Sequence, residues 1–319
     1  MSDKAVLIVN TKSRRGKLWF QRACETLPRL GVPLREAIAL KDPSKLPELV
    51  RREIARKTER IIVGGGDGSL SAAAKHFLDK ETIMGVLPFG TGNQFARDLH
   101  IDVNVEAACK VIAEGKVMPI DVGTVGDKIF LTVTTAGITT QIAHSLTPET
   151  KRRFGIFAYA FAVRQALYKT KVFTAHITTP DETFDCRTVQ VVVGNGRYHA
   201  GPFLIAPEAM INDGFLNGYA ITDTSRLGLV KFAIAMMSGK QNHLQGVHMF
   251  RATSVQLATT PMQKVIVDGE EALQTPISIG LRRKAIRVMV PQDFQPEKEV
   301  EEAMKQEKER NPENTPREQ

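Results

Sequence analysis

The chain has 319 residues, of which 42% are apolar and 24% charged, and its net charge is +8. This length favours two domains, and the apolar content predicts a globular protein with a hydrophobic core and excludes a largely disordered chain. The longest apolar run, Phe154–Val163, has half of the roughly 20 residues that a membrane-spanning helix needs, and Arg164 ends it. The N-terminus lacks the basic start and long apolar stretch of a signal peptide, so we expect a cytoplasmic protein without a transmembrane segment.

The charge is unevenly distributed along the chain. The tail over 291–319 contains nine acidic and five basic residues and therefore carries −4, which leaves +12 on the remainder. A basic body attracts phosphates, nucleic acid or an anionic lipid surface, and charge alone does not distinguish them. Cys24, Cys109 and Cys186 lie far apart without zinc-binding spacing, which is typical of reduced thiols in a cytosolic protein.

The first 125 residues alternate strand-like and helix-like patterns. The predicted strands lie at 4–10, 32–40, 60–64 and 82–89, and the predicted helices at 17–30, 46–57, 69–78 and 104–114. Repeated β-α-β units with apolar runs such as VLIV and IIVG are typical of a buried, mostly parallel sheet with helices on both faces.

After Asp121 the pattern changes to short strands separated by turns rich in Gly, Asp, Asn and Pro. The strand-like runs lie at 121–125, 128–138, 171–179, 188–196, 214–221, 254–260, 264–270 and 285–290. They predict a mostly antiparallel β domain, interrupted by helices at 148–168 and 227–237. We therefore expect an α/β domain over 1–123, a β domain over 124–290 whose final segment is free to return to the first domain, and a charged tail, frayed or disordered, over 291–319.

Residues 61–75, IIVGGGDGSLSAAAK, place a glycine-rich turn between a strand and a helix. At the carboxyl edge of a parallel sheet, such a turn lets backbone N–H groups approach an anion, and the following helix presents its positive N-terminus. Asp67 in this turn indicates a magnesium ion beside bound phosphates, and Ser69 is placed to cap the helix or contact a phosphate. The alternative is a plain helix-entry turn with Asp67 or Ser69 as its cap.

A second strand-to-helix turn, PFGTGNQFAR at 88–97, offers the segment from Gly90 to Asn93 to phosphate. Two such turns on neighbouring strands would clamp a nucleotide from both sides. Phosphoryl transfer also needs a divalent cation and a carboxylate that receives a hydroxyl proton, for which Asp67 and Glu270 are the candidates. Taken singly, Glu270 is equally typical of a solvated turn and Asp213 of a hairpin turn.

These motifs, in this order, resemble the diacylglycerol kinase catalytic-domain family, which includes bacterial lipid kinases and is similar to sphingosine and ceramide kinases. The two glycine turns are accompanied by NTKSRRG at 10–16, Asp121 and Gly123, GNGRYHAG at 194–201, APEAMINDGFLNG at 206–218 and VDGE at 267–270. The resemblance implies a nucleotide-binding α/β domain packed against a β-sandwich that binds the lipid, with the active site in the cleft.

The resemblance also implies the roles of individual residues. ATP would be held by Asn10, Gly65, Gly66, Asp67, Gly68, Ser69, Leu70, Ser71 and Thr91. Asp213, with the main chain of Met210 and Phe215, would bind a structural Mg²⁺ ion, and Asp67 would be linked to the catalytic Mg²⁺. Glu270 would be the general base. The implied reaction is transfer of the γ-phosphate of ATP to the hydroxyl group of diacylglycerol or a related lipid.

The sequence departs from the family pattern at several positions. Thr11 replaces a proline, Ser71 and Ala72 replace Asn-Glu, and Gln94 replaces an aspartate that bacterial diacylglycerol kinases usually carry. Residues 200–202 replace a glycine run, which leaves the acceptor pocket undefined. Because of Gln94, a catalytically weak protein that senses nucleotide or lipid remains an alternative function. Because of the GGDG turn, NAD kinase remains a second alternative.

A lipid acceptor raises the question of membrane contact. Residues 147–169 combine basic and aromatic side chains and, as a helix, would lie on an anionic surface, whereas the alternative is an ordinary helix packed on the β domain. The expected partners are a lipid substrate and, transiently, an anionic membrane surface at the inner face, and a homodimer is left open. An aromatic content of 6% and the lack of a helix-turn-helix signature argue against nucleic acid.

Overall fold

The computed structural model describes residues 5–12, 16–138, 171–199, 203–206, 208–237 and 244–298. The predicted helix at 148–168, the segment 147–169 expected at a membrane surface, residues 200–202 and most of the predicted tail lie outside these residues.

The N-terminal part is a parallel sheet covered by helices. Strands β1 (Ala5–Asn10), β2 (Leu34–Leu40), β3 (Arg60–Gly65) and β4 (Ile83–Pro88) pair in parallel in the order β2-β1-β3-β4. The apolar runs of β1, β3 and β4 are buried, as expected for strands that are covered on both faces. The helices of this part are α1 (Gly16–Arg29), α2 (Leu46–Ala55), α3 (Asp67–Ala74), α4 (Gln94–Asp98) and α5 (Val105–Glu114).

The same sheet continues into the C-terminal half of the chain. Strand β18 (Ile277–Val290) pairs in parallel with β4 through Val288 and Met84, and antiparallel with β5 (Lys116–Val125) and β15 (Val255–Thr260). Strands β6 (Lys128–Phe130), β8 (Phe173–Thr178) and β9 (Thr183–Thr188) complete a sheet of ten strands within the described residues. One long strand therefore joins the parallel and antiparallel parts of the molecule.

A second sheet is antiparallel throughout. Within the described part of the chain it has six strands in the order β14-β13-β10-β7-β16-β17. They are β7 (Val133–Gly137), β10 (Gln190–Gly194), β13 (Leu216–Ile221), β14 (Val247–Ala252), β16 (Lys264–Val267) and β17 (Glu270–Gln274). Strands β11 (Tyr198–His199) and β12 (Phe203–Leu204) form a separate ribbon.

The two sheets face each other across an apolar core. The large sheet contributes Phe173, Ile177, Leu257 and Ile279, and the second sheet contributes Val191, Leu216, Phe250 and Val265. Helix α6 (Arg226–Met237) packs on a separate apolar cluster of the second sheet, where the Phe232 ring lies 5.5 Å from that of Tyr219. These layers confirm the predicted fold class, a mostly parallel α/β domain followed by a mostly antiparallel β domain.

Three strands of the two large sheets, β9, β14 and β17, were missed by the sequence patterns, and all three lie at sheet edges. Strand β9, for example, reads TFDCRT, in which Phe184 and Cys186 are the only apolar residues, so its alternation is too short to predict a strand from the sequence. The run 128–138, predicted as one strand, is interrupted between Phe130 and Val133. The N–H groups of Leu131 and Thr132 donate to the Asp268 carboxylate there, and not to a neighbouring strand.

Candidate functional site

The first glycine turn lies where β3 ends and α3 begins. A Cβ atom on Gly65 would lie 2.6 Å from the Cβ of Ser69, so the turn accepts only glycine at this position. At the end of the adjacent strand β1, Nδ2 of Asn10 donates a hydrogen bond to Oγ of Ser69 (3.0 Å). The carboxyl ends of β1 and β3 and the start of α3 are therefore tied together.

The second glycine turn packs directly on the first. A Cβ atom on Gly90 would collide with the Cα atom of Gly66. Asn93, at a left-handed φ of 48°, closes this turn: its Oδ1 accepts from Gly90 N–H and its Nδ2 donates to Gly90 O, both at 2.9 Å. Thr91 is exposed on the turn.

Asp67 connects the two turns. Its Oδ1 accepts a hydrogen bond from the N–H of Phe95 in the first turn of α4 (3.1 Å). Burial raises the pKa of the Asp67 carboxyl, and this backbone hydrogen bond opposes the rise. A Cβ atom on Gly92 would lie 3.0 Å from Oδ2, so the glycine leaves this oxygen accessible from the second turn.

The remaining predicted nucleotide-binding residues lie in α3. Gly68 is exposed, and a Cβ atom there would meet nothing within 4 Å. Leu70 is fully buried in the apolar core, so only its main chain is available to a ligand. Ser71 faces the C-terminal half, where its Oγ donates to Oδ2 of Asp268 (2.6 Å).

Asp268, the aspartate of the VDGE motif, holds the turn that carries Glu270. Its Oδ1 accepts from both N–H and Oγ of Thr132 and from Val133 N–H, and its Oδ2 accepts from Leu131 N–H and from Ser71. The VDGE motif predicted a role for Glu270 and none for Asp268. The sequence feature that could have indicated a role for Asp268 is its position directly after the apolar strand β16.

Glu270 is exposed beside a cleft of about 180 Å³ between α3 and the two hairpins that face it. The cleft is lined by Gly68, Ser71, Ala72, Lys75, Lys128, Ile129, Val267, Asp268 and Glu270. The structure thus brings Glu270 to the same cleft as Gly68 and Ser71, although about 200 residues separate them in sequence.

Asp98, for which the sequence motifs predicted no role, lies at the end of α4. Its Oδ1 accepts the N–H of Arg197 (2.7 Å), and its Oδ2 has no hydrogen-bond partner among the described residues. Burial raises the pKa of Asp98 to about 7, and the hydrogen bond from Arg197 lowers it in part. The sequence feature that could have indicated a role for Asp98 is an acidic residue close to the apolar residues Phe95, Ala96 and Leu99.

The Asp213 loop lies at a different place from this cleft. Asp213 Oδ1 accepts from Phe215 N–H (2.9 Å), and its Oδ2 forms an ion pair with the Arg251 guanidinium (3.1 Å). The neighbouring Gly214 N–H donates to Oδ2 of Asp121 (2.7 Å), whose Oδ1 accepts from Lys284 N–H (2.7 Å).

The two predicted magnesium positions differ in how well they suit a cation. Asp67 fits, because a carboxylate oxygen is accessible between two turns that are suited to phosphate. Asp213 does not fit, because an arginine already contacts its second oxygen. Within the described ranges, no group of three or more His, Cys, Asp or Glu side chains is placed to hold a metal ion.

No helix in the described part of the chain has the length and apolar character needed to cross a membrane.

Two family models match the chain. Residues 4–125 match the model described as diacylglycerol kinase catalytic domain, and residues 132–290 match the model described as YegS C-terminal NAD kinase beta sandwich-like domain. The first matched range contains strands β1 to β5, and the second contains strands β7 to β18.

Individual relatives agree with these models. A diacylglycerol kinase of Staphylococcus saprophyticus is 25% identical over 309 residues, which cover 94% of this chain and 100% of the relative. A diacylglycerol kinase of Staphylococcus carnosus is 25% identical over 248 residues, or 76% of this chain and 80% of the relative. A crystal structure described as "a putative diacylglycerol kinase from Bacillus anthracis" has a TM-score of 0.78 at 25% identity and covers 90% of this chain and 95% of its own.

Proposed function

Since the chain belongs to the diacylglycerol kinase catalytic-domain family and is a lipid kinase, we propose that it transfers the γ-phosphate of ATP to the hydroxyl group of diacylglycerol or a closely related lipid. The observation that carries the proposal is the hydrogen bond between Ser71 and Asp268. It fixes the turn bearing Glu270 against the helix that follows the first glycine turn. A proton acceptor and a phosphate-binding element thereby share one cleft.

The donor phosphates would lie on the two glycine turns. Gly66 and Gly68 leave the backbone accessible at the N-terminus of α3, where the helix dipole favours negative charge, and the buried Gly65 precedes them at the end of β3. Ser69, which is held by Asn10, and Thr91 on the second turn would add hydroxyl contacts. Asp67 would hold the Mg²⁺ ion that accompanies ATP, whose chemistry is to neutralise charge on the transferring phosphate.

Glu270 would receive the proton of the acceptor hydroxyl. As that proton moves to the carboxylate, the acceptor oxygen forms a bond to the γ-phosphorus, and the bond from the γ-phosphorus to the β,γ-bridging oxygen breaks. The products are the lipid phosphate and ADP, and the proton on Glu270 passes to solvent. Because Glu270 is exposed in this structure, the acceptor must cover it for the transfer to exclude water.

An assay with γ-labelled ATP, magnesium and mixed micelles tests this function. We expect label in diacylglycerol or a related lipid, and a decrease in kcat of about 100-fold or more for Glu270→Gln because the variant has no base. The exposed Glu114→Gln, at the C-terminal end of α5, is the matched control and is expected to retain wild-type kcat. Unchanged kcat in Glu270→Gln would remove the assigned role of Glu270.

The same assay separates the alternative functions when NAD is included as an acceptor. Label in NAD would assign the chain to NAD phosphorylation. ATP binding without label in any acceptor would favour a nucleotide or lipid sensor, for which Gln94 is the sequence argument.

A lipid acceptor also requires access to a membrane surface. We propose transient binding to anionic lipid at the inner face, driven by the +12 charge that residues 1–290 carry. Co-sedimentation with anionic liposomes at low salt and release at high salt is the expected behaviour. Equal sedimentation with neutral liposomes would argue against an electrostatic contribution.

A further inference from the structure

The loop that carries Asp213 is built around a buried carboxylate. The Asp213 side chain is only 5% exposed, and its Oδ1 accepts a hydrogen bond from the N–H of Phe215. A carboxylate in this position needs a positive partner, because a buried charge without one is strongly unfavourable. The resemblance to lipid kinases assigns that role to a structural magnesium ion.

Arg251, on strand β14, already fills this role in the protein's own chain. Its Nη2 lies 3.1 Å from Oδ2 of Asp213, and its guanidinium carbon lies 3.8 Å from the centre of the Phe215 ring. The arginine is therefore fixed on two sides, by an ion pair and by a cation–π contact with a residue of the same loop. Strand β14 pairs with β13, and the pairing of Leu216 with Ala252 sets Arg251 beside the loop.

A second arginine adds positive charge at the same loop. The guanidinium group of Arg283 lies over Gly214, so that a Cβ atom there would be 2.8 Å from its Nε. Gly214 itself is fixed by its hydrogen bond to Asp121 and has a φ of +81°. A divalent cation at Oδ2 of Asp213 would have to displace the Arg251 guanidinium group, and the Arg283 guanidinium group beside Gly214 would repel it.

We propose that Arg251 is the built-in cation of the Asp213 loop and that this loop is ordered without a bound divalent ion. The magnesium role predicted for Asp213, Met210 and Phe215 is then performed by an arginine. This inference does not depend on which lipid is phosphorylated, and it leaves the magnesium ion that accompanies ATP unaffected. Magnesium would then be needed with the ATP phosphates but would not be needed to order the Asp213 loop.

Metal content and thermal stability of the full-length protein test the proposal. Protein passed through metal-free buffer should contain far less than one divalent ion per chain, measured by mass spectrometry of metals. Its Tm should be the same in EDTA, in about 10 mM MgCl₂ and in NaCl of matched ionic strength. By contrast, a folded-state site with a dissociation constant of about 0.1 mM would raise Tm by about 5 °C in that magnesium buffer.

Variants at the ion pair supply the second arm of the test. Arg251→Gln should lower Tm by several degrees because it leaves Asp213 buried and unpaired, and Arg251→Lys should restore part of the loss. Arg287→Gln is the matched control, since Arg287 pairs with the exposed Glu81 and should contribute little to Tm. One tightly held divalent ion in the wild type that is lost in Asp213→Asn, or an unchanged Tm in Arg251→Gln, would overturn the proposal.

Discussion

Position 90 requires glycine because of a contact and not because of its backbone angle. Its φ is not in the positive range, but a Cβ atom there would collide with the backbone of Gly66 on the neighbouring turn. Gly68, two residues beyond Gly66, is the opposite case, since a Cβ atom would meet nothing within 4 Å. Two glycines of the same site thus have different roles, Gly90 for packing and Gly68 for access to the backbone.

We expect Gly90→Ala to destabilise the protein by about 2 kcal/mol, because the added methyl group forces two backbone segments apart. Gly68→Ala is the matched control and should be neutral or stabilising by about 0.5–1 kcal/mol, because alanine is favoured in a helix. Urea unfolding of both variants measures the difference. Equal stability of the two variants would show that the turns can separate without cost.

For individual residues, the sequence predicted which side chains belong to the candidate site better than it predicted which residues they contact. It selected Asp67 and Glu270 by motif, and the structure places them in or beside the glycine turns and the cleft. It could not predict that Asp268 accepts hydrogen bonds from residues 131–133, because those contacts span more than 130 positions of chain. Nor could spacing reveal that Arg251 reaches Asp213, since strand pairing decides which side chains meet.

Among the elements, the short helix α4 makes the most consequential contact between the two halves. It starts at the second glycine turn and ends at Asp98, whose Oδ1 accepts the N–H of Arg197 in the β domain. Apolar strands such as β1 and β3 were predicted from their own residues. Edge strands such as β9 were not, because β9 has only Phe184 and Cys186 to turn toward the core and depends on its pairing with β8.

The protonation of Asp98 should make stability depend on pH. Its pKa is raised to about 7 in the folded protein, so the folded state holds a proton between about pH 4 and 7 that the unfolded state has released. The contribution of this group therefore favours folding at acid pH and is lost as pH rises through about 7. The amide that Asp98→Asn introduces stays neutral at every pH, and its oxygen can still accept the hydrogen bond from the N–H of Arg197.

We therefore expect the stability advantage of Asp98→Asn over the wild type to grow from about 1.5 kcal/mol near pH 5 to about 4 kcal/mol near pH 8, measured by urea unfolding at several pH values. Asp127→Asn, in the exposed turn between β5 and β6, controls for the loss of one negative charge. A stability difference that is constant from pH 5 to 8 would mean that Asp98 does not titrate in this range.

Over the whole molecule, strand β18 makes the two family domains one structural unit. It pairs with β4 of the parallel part and with β5 and β15 of the antiparallel part, so the same strand completes both. Alternating patterns could predict that residues 285–290 form a strand. They could not identify its neighbours, because pairing between β4 and β18 joins residues about 200 positions apart.

This continuity predicts that the described halves unfold together. Trp19 is the single tryptophan of the chain, and its ring lies 5.0 Å from that of Phe89, so its fluorescence reports the α/β half. Far-UV circular dichroism reports the strands of both halves. Because removal of β18 would expose an edge of β4 and separate β5 from β15, we expect the two signals to change at the same urea concentration.

Val288→Ala tests this coupling directly. Val288 is fully buried and pairs with Met84, so the substitution should cost about 2 kcal/mol through a cavity in the shared part of the sheet. Both midpoints should decrease by the same amount, whereas the control Val103→Ala, at a half-exposed loop position, should move neither. A fluorescence midpoint that decreases while a separate circular dichroism transition remains in place would show two independent domains. Coincident shifts would mean that the glycine turns on the large sheet and the turn bearing Glu270 on the second sheet lose their structure in one cooperative transition.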